Sequence, residues 1–109
     1  MNIEYSDTTK QWADTPAGRI VAKELTEVLK RAPDPVDVRW DKVEDPSGRP
    51  LYELTLSDAK ASVSGQFTPA DVETTGEVWD RRIRLRRVWT NLLSIWNRQL
   101  LAEMKASRD

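Results

Sequence analysis

The sequence predicts an α+β fold: a helix, a three-stranded antiparallel meander and a long C-terminal helix, packed as an α-β-β-β-α two-layer sandwich. Three observations predict it. Ile20, Val21, Leu25, Val28 and Leu29 form one apolar stripe at helical spacing. Three runs with a period of two follow between residues 36 and 67. A dense helical pattern with neither proline nor glycine then fills residues 77 to 105. The 109 residues suit one domain and leave no room for two cores.

Residues 1–14 are mostly polar, with Ile3, Tyr5 and Trp12 as isolated apolar residues. They are expected to form a flexible N-terminal arm, anchored at most by Tyr5 and Trp12, ahead of a single α+β domain over 15–109. The first helix opens at Thr15 as N-cap with Pro16 in the first helical position, where a missing N–H costs nothing. Its end is set by Ala32-Pro33-Asp34-Pro35, because proline removes a donor and restricts the residue before it.

Val36, Val38 and Trp40 alternate with Asp37, Arg39 and Asp41, the pattern of a half-buried strand. A turn follows with Pro46-Ser47-Gly48 at its centre. Tyr52, Leu54 and Leu56 make the second strand, and Ala61, Val63 and Phe67 the third. Gly65 shares the apolar parity of the third strand, the place for a bulge or for a closely approaching helix. Short connections make these strands an antiparallel meander with one wet face. Val38, Trp40, Leu54, Leu56, Val63 and Phe67 are expected to meet Val21, Leu25, Val28, Val88 and Leu92.

Thr68-Pro69-Ala70-Asp71 starts another helix, with Asp71 placed to complete a capping box, and Thr74-Thr75-Gly76 interrupts it. The last helix would be ~42 Å long at 1.5 Å per residue. The meander would measure only ~20 Å along its strands and ~10 Å across. The helix is therefore expected to overhang its sheet, carrying Ile95, Trp96, Leu100, Leu101 and Met104 beyond it.

Composition narrows the chemistry. There is no cysteine and no histidine, which removes disulfides, thiolate chemistry, the commonest general base and the commonest metal ligand. Asp37, Asp41, Glu44 and Asp45 gather near one hairpin, but on a wet parity and in a turn, where a solvated edge is the expected reading. The four glycines (Gly18, Gly48, Gly65 and Gly76) are too scattered for a phosphate-cradling loop. No enzyme, cofactor or metal site is expected. No apolar run approaches the ~20 residues of a membrane span, and Met1 to Tyr5 have no secretory-signal character. The expected location is the cytoplasm.

Residues 1–76 carry nine Lys/Arg against fourteen Asp/Glu, a net −5, whereas residues 77–109 carry eight against four, a net +4. The basic excess centres on Arg81, Arg82, Arg84, Arg86 and Arg87. Guanidinium groups fit phosphates bidentately, so this cluster is the candidate nucleic-acid surface. The competing expectation pairs the arginines with Glu24, Glu27, Asp37 or Asp41. It is favoured by the overall charge of −1, since nucleic-acid modules are usually basic overall.

The order helix, meander, helix resembles that of the double-stranded RNA-binding domain. In that family the second helix starts with lysines that grip phosphate. Here that start is Thr68-Pro69-Ala70-Asp71-Val72-Glu73, which is acidic, so the resemblance covers element order alone.

The functional expectation is a small non-catalytic interaction module, an adaptor or accessory subunit. It would bind a protein partner or itself through the C-terminal helix, as a homo-oligomer in the latter case. The candidate partner-binding residues are Trp89, Leu93, Trp96 and Leu100, because tryptophan at interfaces commonly carries binding energy. The alternative is nucleic-acid binding by the arginine-rich stretch 81–87.

Overall fold

The computed structural model describes residues 2–30, 35–59 and 61–106, with side chains described as far as residue 98. Eight elements follow one another: β1 (Asn2–Tyr5), α1 (Lys10–Ala13), α2 (Pro16–Leu29), β2 (Asp37–Glu44), β3 (Pro50–Ser57), β4 (Ser62–Phe67), α3 (Pro69–Val72) and α4 (Trp79–Ala106). The predicted helix, meander and long helix are α2, β2–β3–β4 and α4. The proline stop at 32–34 lies outside the described residues.

The caps explain where the helices begin. The Thr15 hydroxyl accepts from the Gly18 N–H at 3.1 Å. Thr68 and Asp71 form a full capping box, with the Thr68 hydroxyl accepting from the Asp71 N–H and the Asp71 carboxylate accepting from the Thr68 N–H. The β2–β3 turn needs its glycine, since Gly48 has φ of 83°. Asp45 Oδ1 closes that turn by accepting from the N–H groups of Ser47 and Arg49 at 2.8 and 2.9 Å.

The meander is antiparallel, with Trp40 opposite Leu54 and Leu54 opposite Gly65. Val38, Trp40, Tyr52, Leu54, Leu56 and Phe67 turn to one face, where they are buried together with Val21, Leu25, Leu85, Val88 and Leu92. Val28 and Val63 are only half-buried. The other face carries Arg39, Glu53, Thr55 and Gln66 to solvent, as the alternation requires.

Residues 1–14 are expected to be a flexible arm; within residues 2–14 the structure has a strand, a short helix and the buried Trp12. Residues 2–5 are a fourth strand, and it pairs parallel to β2, with Ile3 beside Val38 and Tyr5 beside Trp40. The sheet order is β1-β2-β3-β4. Thr9, fully buried, donates to the carbonyls of Ser6 and Trp40. Trp12 lies in the core, its ring about 5.0 Å from those of both Trp40 and Tyr52 and its Nε1–H donating to the Val72 carbonyl at 2.8 Å. The cause is aromatic and apolar burial: the Trp12 ring in the core, with Ile3 and Tyr5 packed against it, supplies enough apolar area to hold a segment that is otherwise mostly polar.

Two glycines mark close approaches. A side chain at Gly18 would run into the backbone of Trp12 and Ala13, so α1 folds tightly onto the start of α2. A side chain at Gly65 would collide with Val88, so α4 crosses β4 at that point. Of the two roles expected for Gly65, the close helix approach is the one found.

A candidate interaction surface on the last helix

The placement of α4 is fixed by its first turn. Arg81 is 0% exposed although it is charged. Its Nε and Nη2 donate to the two carboxylate oxygens of Glu24 at 2.8 and 2.7 Å, a bidentate pair. Its remaining capacity goes to the carbonyls of Asp71, at 2.9 Å, Thr74 and Gly76. One guanidinium thus ties α2, α3 and the segment between α3 and α4 to the last helix. Arg84 reinforces this by donating to Asp71 Oδ2 at 2.9 Å. Arg82 pairs with Glu77 at 3.0 Å and stands 3.8 Å from Glu24.

The five arginines therefore do not form one surface. Arg81 is buried with its donors engaged, so it is not available to an external phosphate. Arg82 and Arg84 are held in ion pairs. Arg86 and Arg87 are exposed, as is Arg98 further along, and none of the three has a carboxylate partner among the described residues. Glu24 had been expected among the internal partners, and it is the central one.

Past this anchor, Leu85, Val88 and Leu92 face the sheet and are buried. Trp89 is half-buried and packs against the edge of the core. Leu93, Ile95 and Trp96 are also half-buried, but they are not part of the core or of the shell packed on it. The side chain of Leu100 lies outside the described residues. The helix itself continues to Ala106, fourteen residues beyond Leu92, or about 21 Å. The molecule is correspondingly elongated, 52 Å by 31 and 26 Å. Trp79, at the other end of α4, is 69% exposed.

A second feature escaped the sequence. A cleft of about 360 Å³ opens between the start of α2 and the end of α3, walled by Gln11, Trp12, Thr15, Tyr52 and Glu73. The Tyr52 hydroxyl donates to Glu73 at 2.7 Å. Burial, with this hydrogen bond and the nearby carboxylate charge, pushes the Tyr52 phenol well above its usual pKa. The Thr15 hydroxyl there is committed to the Trp12 carbonyl and to the helix cap. The cleft joins residues from Gln11 to Glu73, far apart in the chain, so no local motif announces it.

Among the described residues no three acidic side chains converge to hold a metal ion, and no helix is long and apolar enough to cross a membrane. In comparisons with protein-family models, curated proteins and solved structures, no family, no curated protein and no solved structure matches the chain.

Proposed function

We propose that this chain is a small, non-catalytic interaction module that associates with a protein partner, or with a second copy of itself, through the part of α4 that runs past the core. One observation carries the reading: α4 stays helical beyond Leu92, while Leu93, Ile95 and Trp96, each half-buried, belong neither to the core nor to the shell packed on it. Large apolar residues on a projecting helix normally mark a contact with another molecule. The buried arginine anchor supports it, since a helix fixed rigidly at one end presents its far end in a defined direction. The reading includes a cytoplasmic location, which fractionation of expressing cells checks.

The test is the mass in solution, by light scattering behind a sizing column at low and high salt, with and without Trp96→Glu. The substitution is expected to leave the circular dichroism spectrum of the folded chain unchanged and to abolish any association. An assembly that persists in Trp96→Glu removes the projecting helix from the explanation.

A further inference from the structure

We infer that the solvent face of α4 binds single-stranded nucleic acid, with Trp79 stacking on a base and Arg86, Arg87 and Arg98 holding the phosphates. This function is separate from association through the apolar end of the helix and does not depend on it.

At 3.6 residues per turn, Trp79, Arg86, Arg87 and Arg98 share an arc of about 140° with the neutral Thr90, Asn91, Ser94 and Asn97 that lie between the arginines. All eight are exposed. The arc is centred roughly 160° from the buried line of Leu85, Val88 and Leu92, so it faces away from the sheet. Its charge is one-sided. From residue 81 to residue 102 the sequence holds no aspartate or glutamate, whereas a solvated helix face ordinarily interleaves both signs. Asp80 is the one carboxylate in the arc, at its N-terminal end.

The ion pairs sharpen this. Arg81, Arg82 and Arg84 are neutralised by Glu24, Glu77 and Asp71. Arg86, Arg87 and Arg98 have no carboxylate partner among the described residues and span about 18 Å of helix. Three unpaired guanidinium groups along one face fit a polyanion. The threonine, asparagine and serine side chains between them can donate to phosphate oxygens, which only accept. Residues 1–76 carry a net −5, so the rest of the chain repels the same polyanion and confines it to α4.

Trp79 selects the kind of polyanion. It is 69% exposed, at the first position of α4 and about 10 Å before Arg86 along the helix. An acidic peptide would satisfy the arginines and leave this ring without a partner. A duplex keeps its bases inside, whereas a single strand presents unstacked bases to an aromatic face beside a basic track.

The experiment is fluorescence anisotropy of a labelled oligodeoxythymidine with the full chain, from low to physiological salt. Affinity is expected to fall with salt at a log–log slope near −2, from about −0.7 for each of three phosphates. Arg86→Gln with Arg87→Gln should reduce the slope to about −0.7. Trp79→Ala should weaken binding on the order of tenfold and leave the slope unchanged. These side chains are exposed, and unchanged circular dichroism spectra confirm that the variants fold. No binding at low salt, or a slope indifferent to the arginine changes, overturns the inference. Equal affinity for a duplex of the same length, or indifference to Trp79→Ala, overturns the single strand as the ligand. Polyglutamate that displaces the strand at equal charge overturns nucleic acid in favour of an acidic protein surface.

Discussion

Replacing Arg81 with methionine removes the guanidinium and keeps most of the side-chain volume. Glu24, whose side chain is 17% exposed, then loses its bidentate partner and keeps only Arg82 at 3.8 Å. The carbonyl of Asp71 loses its donor in a buried setting. Removing one partner of a buried ion pair costs about 3–5 kcal/mol, because the other charge stays behind uncompensated. A domain of this size loses roughly 4 °C of Tm per kcal/mol, so a fall of about 12–20 °C is expected. The assay is urea unfolding followed by tryptophan emission, paired with hydrogen exchange. Exchange should rise first over residues 73–78, since the Thr74 and Gly76 carbonyls are tied to the same guanidinium. Glu24→Met with Arg81→Met should cost less than the two single changes added together, by about 2 kcal/mol. A loss below about 1 kcal/mol for Arg81→Met, or strict additivity with Glu24→Met, would refute the view that this pair fixes α4.

Three further outcomes follow from the packing and the titrations. Gly65→Ala should destabilise by about 1–3 kcal/mol, because the new methyl meets Val88; adding Val88→Ala should recover part of the loss, read from the urea midpoint. Tyr52 has its folded pKa raised by burial and by Glu73, so its contribution to stability is complete below the ordinary tyrosine value of about 10. That contribution is lost as pH rises from there through the folded value, and an alkaline series of urea midpoints should flatten in Tyr52→Phe. Asp45 is held below its usual pKa by the Ser47 hydroxyl and the Arg49 N–H. Its share of the hairpin's stability is therefore present above the ordinary aspartate value and disappears as pH falls through the folded one, so amide protection across 45–49, corrected for the intrinsic exchange rate, should fall in acid in the natural chain and stay flat in Asp45→Asn.

The elements that could be read in advance were those whose signals are local. Thr15-Pro16 and Thr68-Pro69-Ala70-Asp71 cap helices through contacts within four residues, and strand alternation declares a wet and a dry side at once. β1 has no such signal. Four residues with one apolar pair become a strand only because β2, 35 positions later, offers an edge. Trp12 likewise becomes a core residue only when Trp40, Tyr52 and Val72 surround it. The split among the arginines was partly legible: Arg81, Leu85, Val88 and Leu92 sit at i, i+4, i+7 and i+11, which puts Arg81 alone of the five on the buried line. That spacing singles out Arg81, but which carboxylate it meets depends on how α2 and α4 lie side by side. The overhang followed from lengths alone. The cleft beside Tyr52 did not, since it is made where three elements meet.

The parallel pairing of β1 sets an order of events. β2 with β3 and β3 with β4 pair across short connections, whereas α1 and α2 lie in the chain between β1 and its partner β2. Local pairings form sooner than distant ones, because loop closure grows more costly with separation. Of these four strands, the one synthesised earliest is thus expected to find its neighbour last, and until it does the backbone edge beside Val38 and Trp40 stays open. Substitutions at Ile3 or Tyr5 should accordingly speed unfolding and leave the refolding rate almost untouched, while those at Leu54 or Leu56 should slow refolding.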